Sequence, residues 1–252
     1  MTSTIGMPGR FCNHFIRNLC INIIAKSNNL HVSYGHNDQM KELGIYLFCG
    51  EKMYNHCIIF DEETFLYVIK NNVPIEASLQ CHYFYQGPEI SRLLYNYLRI
   101  NDILNNVTSK NKFKSRYTNN NNDIFIHIRL GDMEHNNPGL LYYITAINKI
   151  DNFDHIYIGS DTIDHEIIKK IKEMYPNTTV LDYNEVSTIQ FGSTCKHVIL
   201  TDGSFSCVIG YLSYYSTVYY PEPDPSKGWC HDIFSSISEW NKVNYLTNNT
   251  SN

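Results

Sequence analysis

The 252-residue sequence lacks the patterns that mark several classes of protein. It has no run of about 18 apolar residues, as a membrane-spanning helix requires, and its N-terminus lacks the basic-then-apolar pattern of a signal peptide. Lys and Arg are not clustered, and the formal net charge is -5, which argues against binding nucleic acid through bulk charge. We therefore expect a soluble, cytoplasmic protein without a transmembrane segment or a nucleic-acid partner.

Metal and dinucleotide motifs are missing as well. The eight cysteines show neither C-x-x-C nor paired Cys/His spacing, so no structural zinc site is expected. No D-x-D motif is present to hold a divalent cation on a diphosphate, and Glu222-Pro223-Asp224 is the nearest approximation. The G-x-G-x-x-G fingerprint of a Rossmann dehydrogenase is absent. We therefore expect no bound metal and no cofactor.

The remaining composition, 43% hydrophobic and 18% charged, is that of a globular protein. Apolar patterns and turn residues predict strands over residues 30–34, 45–49, 56–60, 77–85, 123–128, 155–159, 178–181, 197–201 and 217–220. They predict helices from Phe11 onward and over residues 37–43, 61–70, 89–104, 140–150, 163–175, 185–194 and 204–215. Such alternation indicates an α/β fold with parallel sheets. The polar, Asn-rich residues 105–122 indicate a connection between domains 1–120 and 121–252.

Several candidate functional residues lie at the carboxyl end of one predicted strand. Residues 123–128 form an apolar strand that brings His127 and Arg129 to its carboxyl end, where ligands bind in open α/β sheets. The fork of donors on Arg129 suits a phosphate group, so Arg129 is a candidate phosphate clamp. The alternative is that Arg129 pairs with Asp132 for structural reasons.

Two other predicted strand ends carry polar side chains. Ser160 and Asp161 follow one strand, and Asp161 either accepts hydrogen bonds from a ribose or base edge or is the N-cap of the next helix. After Thr201, two serine hydroxyls and free backbone N–H groups are suited to a phosphate group, with a serine N-cap as the alternative. The residues of that second turn are Gly203, Ser204, Phe205 and Ser206.

A glycine-bearing loop over residues 6–13 opens the first helix. Its backbone N–H groups and the helix N-terminus are suited to a phosphate or a sugar hydroxyl, which makes Gly9, Arg10 and Asn13 candidate binding residues. The alternative is a simple N-terminal turn.

The order of these motifs over about residues 122–234 resembles the α-1,2-fucosyltransferase family and its α-1,6 and protein O-fucosyltransferase relatives. The similar segments are His127–Asp132 (H-x-R-x-G-D), Leu141–Ile147 (Y-Y-x-x-A-I), Gly159–Asp161 (F-S-D), Cys195–Ile199 (C-K-H-x-I), Gly203–Ser206 (S-S/T-F-S), Tyr220-Pro221 with Trp229, and Gly9–Asn13 (G-x-x-G-N). The sequence departs from the family at Cys12, Leu130 and Cys207-Val208, which replace a glycine, a second basic residue and paired tryptophans.

The resemblance implies a GT-B fold, in which two Rossmann-like domains face a cleft and the C-terminal domain is a doubly wound parallel sheet. It implies metal-independent, inverting transfer of L-fucose from GDP-β-L-fucose to a glycan hydroxyl, with an α-1,2 linkage to galactose or a similar sugar. Two other activities stay open: transfer from another nucleotide sugar, and nucleotide or glycan binding without catalysis.

The resemblance also assigns roles to residues. Arg129 would stabilise the departing GDP, and Asp132 and Glu134 are the candidates for the base, although Asp132 could instead only fix the loop and Arg129. His127 would contact phosphate or orient Arg129, or else be a structural histidine. The complete set of candidate donor-binding residues is His127, Arg129, Gly9, Arg10, Asn13, Ser160, Asp161, Gly203, Ser204, Phe205 and Ser206.

Overall fold

A computed structural model of the chain describes residues 1–119, 121–223 and 233–245. The chain divides into two compact units, Met1–Val107 and Thr108–Asn252. Each unit contains its own sheet, and every paired strand in both sheets is parallel. The α/β fold class with two Rossmann-like units is therefore confirmed, and their facing across a cleft stays a prediction.

The first unit is built on short strands. Its sheet has the order β2-β1-β4-β3, with strands β1 (Thr2–Ser3), β2 (Val32–Ser33), β3 (Cys57–Ile59) and β4 (Ser78–Gln80). Its helices are α1 (Phe11–Asn28), α2 (Asn37–Glu42), α3 (Glu62–Asn71), α4 (Pro88–Leu98) and α5 (Asn101–Lys110). The chain adds β2 on one side of β1 and β4 on the other, so the strand order reverses between β1 and β4.

Helix α1 is buried on nearly every side, although its sequence predicts one apolar face. The polar residues on its other faces are accommodated by hydrogen bonds with the loops around the sheet. Asn18 accepts from the Thr4 hydroxyl at 2.7 Å and donates to the Gly35 carbonyl at 2.8 Å. Asn22 accepts from the backbone N–H of Phe48 at 2.7 Å. The helix therefore organises the loops of the first unit.

The second unit is built on a six-stranded sheet of the order β10-β9-β8-β5-β6-β7. Its strands are β5 (Ile124–Ile128), β6 (Ile156–Ser160), β7 (Thr178–Val180), β8 (His197–Ile199), β9 (Thr217–Pro221) and β10 (Asn241–Val243). Its helices are α6 (Leu140–Ile147), α7 (Glu166–Met174), α8 (Glu185–Gly192) and α9 (Ser204–Leu212). The strand order is that of a dinucleotide-binding sheet, and it reverses between β5 and β8.

Alternation along β5 divides the helices between the two faces of this sheet. Ile124, Ile126 and Ile128 belong to one buried cluster with the apolar side chains of α6 and α7. Phe125 points to the opposite face, where its ring contacts the backbone at Gly159 and at Gly192 of α8. The expected doubly wound arrangement is therefore confirmed.

Several predicted elements differ from the structure. No strand forms at residues 45–49, because side chains bind this segment: Asn22 accepts the Phe48 N–H and Tyr34 donates to the Phe48 carbonyl. The single helix predicted over residues 89–104 is two helices, α4 and α5, which meet at Arg99 and Ile100. Strands β1 and β10 were not predicted.

The stretch of residues 105–122, predicted as a connection between domains, begins with the end of a helix. Residues up to Lys110 are helical, and the division between the units lies earlier in the chain than residue 120. The Arg116 guanidinium pairs with Asp123 at 2.7 Å and donates to the Thr194 hydroxyl at 3.0 Å. These half-buried polar contacts make the stretch part of the second unit.

No helix within residues 1–119, 121–223 and 233–245 has the length and apolar content needed to cross a membrane. The seven cysteines in these ranges are free thiols. Asp224, Trp229 and Cys230, which entered the sequence analysis, lie outside the described residues.

We predict that Gly192→Ala destabilises the second unit. An added Cβ would lie 2.7 Å from Cε1 and 2.8 Å from Cδ1 of Phe125, which is fully buried. Overpacking of this kind costs about 1–3 kcal/mol in the free energy of unfolding, measurable by urea denaturation. Phe125→Leu removes the ring, so the double variant should lose less stability than the sum of the two single changes. Strictly additive losses would contradict this contact.

Candidate functional site

The candidate site lies where the strand order of the second sheet reverses. The carboxyl ends of β5 and β8 are neighbours there, and ligands of doubly wound sheets bind at this position. His127 is the next-to-last residue of β5, and Arg129 follows the strand directly. Helix α9 begins at Ser204, after β8. The sheet therefore brings together residues that are more than seventy positions apart in the sequence.

A hydrogen-bonded bridge joins the two strand ends. Nδ1 of His127 lies 2.6 Å from the Ser206 hydroxyl, which also accepts the backbone N–H of Thr201 at 3.0 Å. Ser206 is fully buried, and the ring of Phe205 lies over His127 with 4.8 Å between centroids. In this structure the Ser206 hydroxyl therefore holds the turn before α9 against β5.

His127 is neutral at physiological pH. Burial and then the positive charge of Arg129 lower its pKa to about 3. Nδ1 is engaged by Ser206, whereas Nε2 makes no hydrogen bond to any residue that the structure describes. His127 thus combines a structural bond through one nitrogen with an unengaged second nitrogen at the strand end.

Arg129 is paired with two carboxylates. Its NH1 lies 2.5 Å from Oδ2 of Asp161, and its NH2 donates to Oδ1 of Asp132. The side chain of Arg129 is 19% exposed. Its Nε–H and the remaining terminal hydrogens form no bonds within the described ranges. The structural pairing with Asp132 is therefore present, and Arg129 keeps further donors for an anion.

Asp161 serves the Arg129 loop and is not a helix cap. The N-cap of α7 is His165, so the N-cap alternative for Asp161 is wrong. Its Oδ1 accepts the backbone N–H of Leu130 at 2.9 Å while Oδ2 pairs with Arg129. A Cβ at Gly131 would lie 2.7 Å from that Oδ2, and its φ of +38° also favours glycine. Asp161 therefore fixes both the backbone and the side chain after β5.

The neighbouring predicted residues differ in their contacts. Glu134 accepts from Nε2 of His165 at 2.9 Å. Ser160 accepts the backbone N–H of Thr162 at 3.1 Å, which shapes the turn after β6. Asp132 is 58% exposed, against 28% for Asp161. Of the two carboxylates on Arg129, Asp132 is therefore the one that can move away more easily.

The start of α9 presents backbone donors. Gly203 is the N-cap with φ +110°, so the serine N-cap alternative is wrong. The first helical hydrogen bond runs from Cys207 N–H to the Gly203 carbonyl at 3.1 Å. The N–H groups of Ser204, Phe205 and Ser206 have no acceptor among the described residues. With the helix dipole, they form a potential anion site.

The three predicted residues of the glycine-bearing loop, Gly9, Arg10 and Asn13, belong to the first unit. Arg10 is the N-cap of α1, and Asn13 lies in its first turn. The side-chain oxygen Oδ1 of Asn13 accepts from Nε2 of Gln86 at 2.8 Å. Gly9 has φ +107°, and a Cβ there would lie 2.7 Å from Cβ of Asn13. The loop conformation therefore requires glycine.

Sequence reasoning missed Asn137. Its Nδ2 donates to the Arg129 carbonyl and to the Tyr143 hydroxyl, each at 2.8 Å, and its Oδ1 accepts the Gly139 N–H at 2.8 Å. It is nearly buried and holds the backbone of the arginine in place. The Asn-Pro-Gly sequence at 137–139 signals a turn, but not the return of the side chain to residue 129.

Comparisons with known proteins show a partial likeness. No protein-family model and no curated protein matches the sequence. The fucosyltransferase NodZ from Bradyrhizobium is 13% identical, with a TM-score of 0.40 over 66% of this chain and 60% of that chain. A NodZ alpha-1,6-fucosyltransferase co-crystallised with GDP is 12% identical, with a TM-score of 0.38 over 62% and 58%. The match spans less than two thirds of either structure, and this degree of likeness decides neither fold nor activity.

We predict that His127 makes the native state less stable in acid. Its folded-state pKa of about 3 lies below its usual value of 6.5, so the unfolded chain binds the proton first. The stability contribution is complete above pH 6.5 and decreases towards pH 3, by up to about 1.4 kcal/mol per pH unit. Urea denaturation from pH 7.5 to 4 should give a shallower slope for His127→Gln.

His14 and His197 provide the internal reference for this experiment. Burial lowers both pKa values as well, and both residues remain in the variant. The difference between the two slopes therefore reports His127 alone, and equal slopes would contradict the assignment.

Proposed function

We propose that the protein is an inverting glycosyltransferase that transfers L-fucose from GDP-β-L-fucose to a hydroxyl of a glycan acceptor. One observation carries the proposal: Arg129, the unengaged nitrogen of His127 and the N-terminus of α9 meet where the order of β5 and β8 reverses. The order of motifs in the sequence supports GDP-fucose as the donor.

The donors at this position suit a diphosphate. The guanidinium supplies a fixed positive charge, and the first N–H groups of α9 supply a partial one. A neutral His127 adds a hydrogen-bonding nitrogen without the cost of charging a buried imidazole. The same groups would stabilise the negative charge that develops on GDP as the glycosidic bond breaks.

Asp132 is proposed to leave Arg129 when the diphosphate binds. Asp161 is the less exposed of the two carboxylates and is held by the Leu130 N–H as well, so it would stay. A phosphate oxygen would then take the place of the Asp132 carboxylate on the guanidinium. This exchange frees a carboxylate beside the donor only after the donor has bound.

The freed Asp132 is our candidate for the base. The acceptor hydroxyl would attack the anomeric carbon of fucose while the bond to GDP breaks, and the electron pair of that bond would pass to the β-phosphate. The hydroxyl proton would go to Asp132, and the configuration would change from β to α. Glu134 is a weaker candidate because it already pairs with His165.

The finer assignments are also proposals. We propose the α-1,2 linkage to galactose or a similar sugar from the motif resemblance, with the acceptor held by the first unit. Gly9, Arg10 and Asn13 are proposed to contact the donor from that unit. The other predicted residues, Ser160, Gly203, Ser204, Phe205 and Ser206, are proposed to contact it directly or to shape the turns that do.

We predict that GDP raises the melting temperature and that UDP, CMP and NAD do not. A ligand at about 100 times its dissociation constant stabilises the native state by about 2.7 kcal/mol. The shift should persist in EDTA and disappear in Arg129→Ala, whereas Lys149→Ala removes an exposed charge from the same unit and should retain it. A shift with UDP or NAD instead of GDP would refute the donor assignment.

Turnover separates an enzyme from a binding module. With GDP-fucose and a galactose-terminated acceptor, Arg129→Ala should lose about a hundredfold or more in rate, since such contacts contribute about 2.7–4 kcal/mol to transition-state stabilisation. GDP binding without transfer to any acceptor would indicate a non-catalytic module.

We predict opposite effects on binding and turnover for Asp132→Asn. Removing the carboxylate that competes for Arg129 should tighten GDP binding several-fold by calorimetry. Removing the base should slow transfer by about 10²–10⁴-fold. Glu134→Gln is the matched control and should change both quantities less. Weaker GDP binding in Asp132→Asn would contradict the exchange.

A further inference from the structure

A buried arginine in the first unit has no counterion. Arg17 on α1 is fully buried, and its guanidinium lies against the ring of Phe84 at 5.4 Å. Its Nε donates to the Tyr83 carbonyl at 2.9 Å and its NH2 to the Pro8 carbonyl at 3.0 Å. Its NH1 is buried without a partner. No carboxylate within the described residues pairs with it.

The ionisable groups around Arg17 do not neutralise it. Tyr85 and Cys81 are the acidic groups whose charge, if they were ionised, would act on Arg17. Burial raises the pKa of Cys81 to about 12 and raises the pKa of Tyr85 further, so both are neutral at physiological pH. Burial lowers the pKa of Arg17, but an arginine remains protonated. A buried charge without a partner is unfavourable for stability alone.

Arg17 lies at the strand-order reversal of the first sheet. Pro8 is in the loop after β1 and Tyr83 in the loop after β4, and these strands are neighbours. His14, one turn before Arg17, contacts the same loop through Nε2 and the Met7 carbonyl at 3.1 Å. Nδ1 of His14 is also buried without a partner. Two unsatisfied polar side chains therefore reach one glycine-bearing loop.

Peptide geometry links Arg17 to the outer side of this loop. No described peptide bond is cis, so the carbonyl of Pro8 and the N–H of Gly9 point in opposite directions. Because Arg17 holds the carbonyl inward, the Gly9 N–H points outward. Gly9 is exposed, and its N–H has no acceptor among the residues that the structure describes.

We propose that Arg17 is a positioning residue for anion binding at the glycine-bearing loop. It holds the Pro8 carbonyl so that the Gly9 N–H faces an incoming oxyanion, and the charge of that oxyanion compensates the guanidinium through the intervening peptide. The oxyanion is a phosphate of a nucleotide or a carboxylate of a sugar acid, and in naming these two classes the inference rests on the proposed function.

The test follows the Gly9 amide by ¹⁵N NMR in an Arg129→Ala background, where the candidate diphosphate site of the second unit is disabled. Inorganic phosphate, GDP and glucuronic acid are titrated separately. We expect a saturable shift of the Gly9 signal with phosphate, and the response to GDP or to glucuronic acid identifies the source of the oxyanion.

Two variants of α1 separate positioning from structural support. Arg17→Gln keeps an amide donor but removes the charge, and should weaken phosphate binding at Gly9 at least about tenfold. Lys26→Gln removes an exposed charge from the last turn of the same helix and should leave it unchanged. Arg17→Lys restores the charge without the planar fork and should give intermediate binding.

A purely structural Arg17 would alter the melting temperature but not the phosphate affinity of the folded variants. Equal affinities in Arg17→Gln and Lys26→Gln would overturn the proposal, as would a Gly9 signal that no titrant moves in the parent protein. The second readout needs no change at Arg17, so it tests the proposal even if Arg17→Gln does not fold.

The two proposals fail separately. If the wild-type protein transfers fucose but no titrant shifts the Gly9 amide signal, the role of Arg17 is refuted and the proposed activity stands. An Arg17-dependent response to phosphate without GDP binding by the wild-type protein would support the positioning role and refute the donor assignment.

Discussion

The buried hydroxyl of Ser206 joins the two strands between which the second sheet reverses its order. Its bonds to His127 and to the Thr201 N–H fix the end of β5 against the turn that opens α9. Together with the pairing of β5 and β8, this bridge fixes the start of α9 relative to the end of β5 that carries Arg129. The proposed diphosphate site depends on this connection because its donors come from both strand ends.

The two carboxylates that pair with Arg129 differ in exposure. Asp161 is bound to the backbone as well as to the guanidinium, whereas Asp132 is the more exposed of the two carboxylates. Water solvates the outer carboxylate well, so its release costs less than release of the inner one. The arrangement is therefore compatible with an arginine that is oriented before a ligand arrives and still has donors to offer.

The two units use their strand-order reversals differently. In the second unit, a partly exposed arginine is balanced by carboxylates, and a neutral histidine lies beside it. In the first unit, a fully buried arginine donates to two backbone carbonyls and faces a loop whose glycine has a positive φ. The first arrangement suits direct contact with a ligand. The second suits action through the backbone.

Features that depend on neighbouring residues can be derived from the sequence alone. The β-branched run before His127 specified β5, and the placement of Arg129 at its end followed from the strand. Alternating strand and helix patterns specified the parallel α/β class. Tertiary structure decided the rest, because two-residue strands such as β1 have no period to detect and the partners of Arg129 and His127 are distant in sequence. Asp161 is 32 residues from Arg129 and Ser206 is 79 from His127, and only the register of the sheet brings them together.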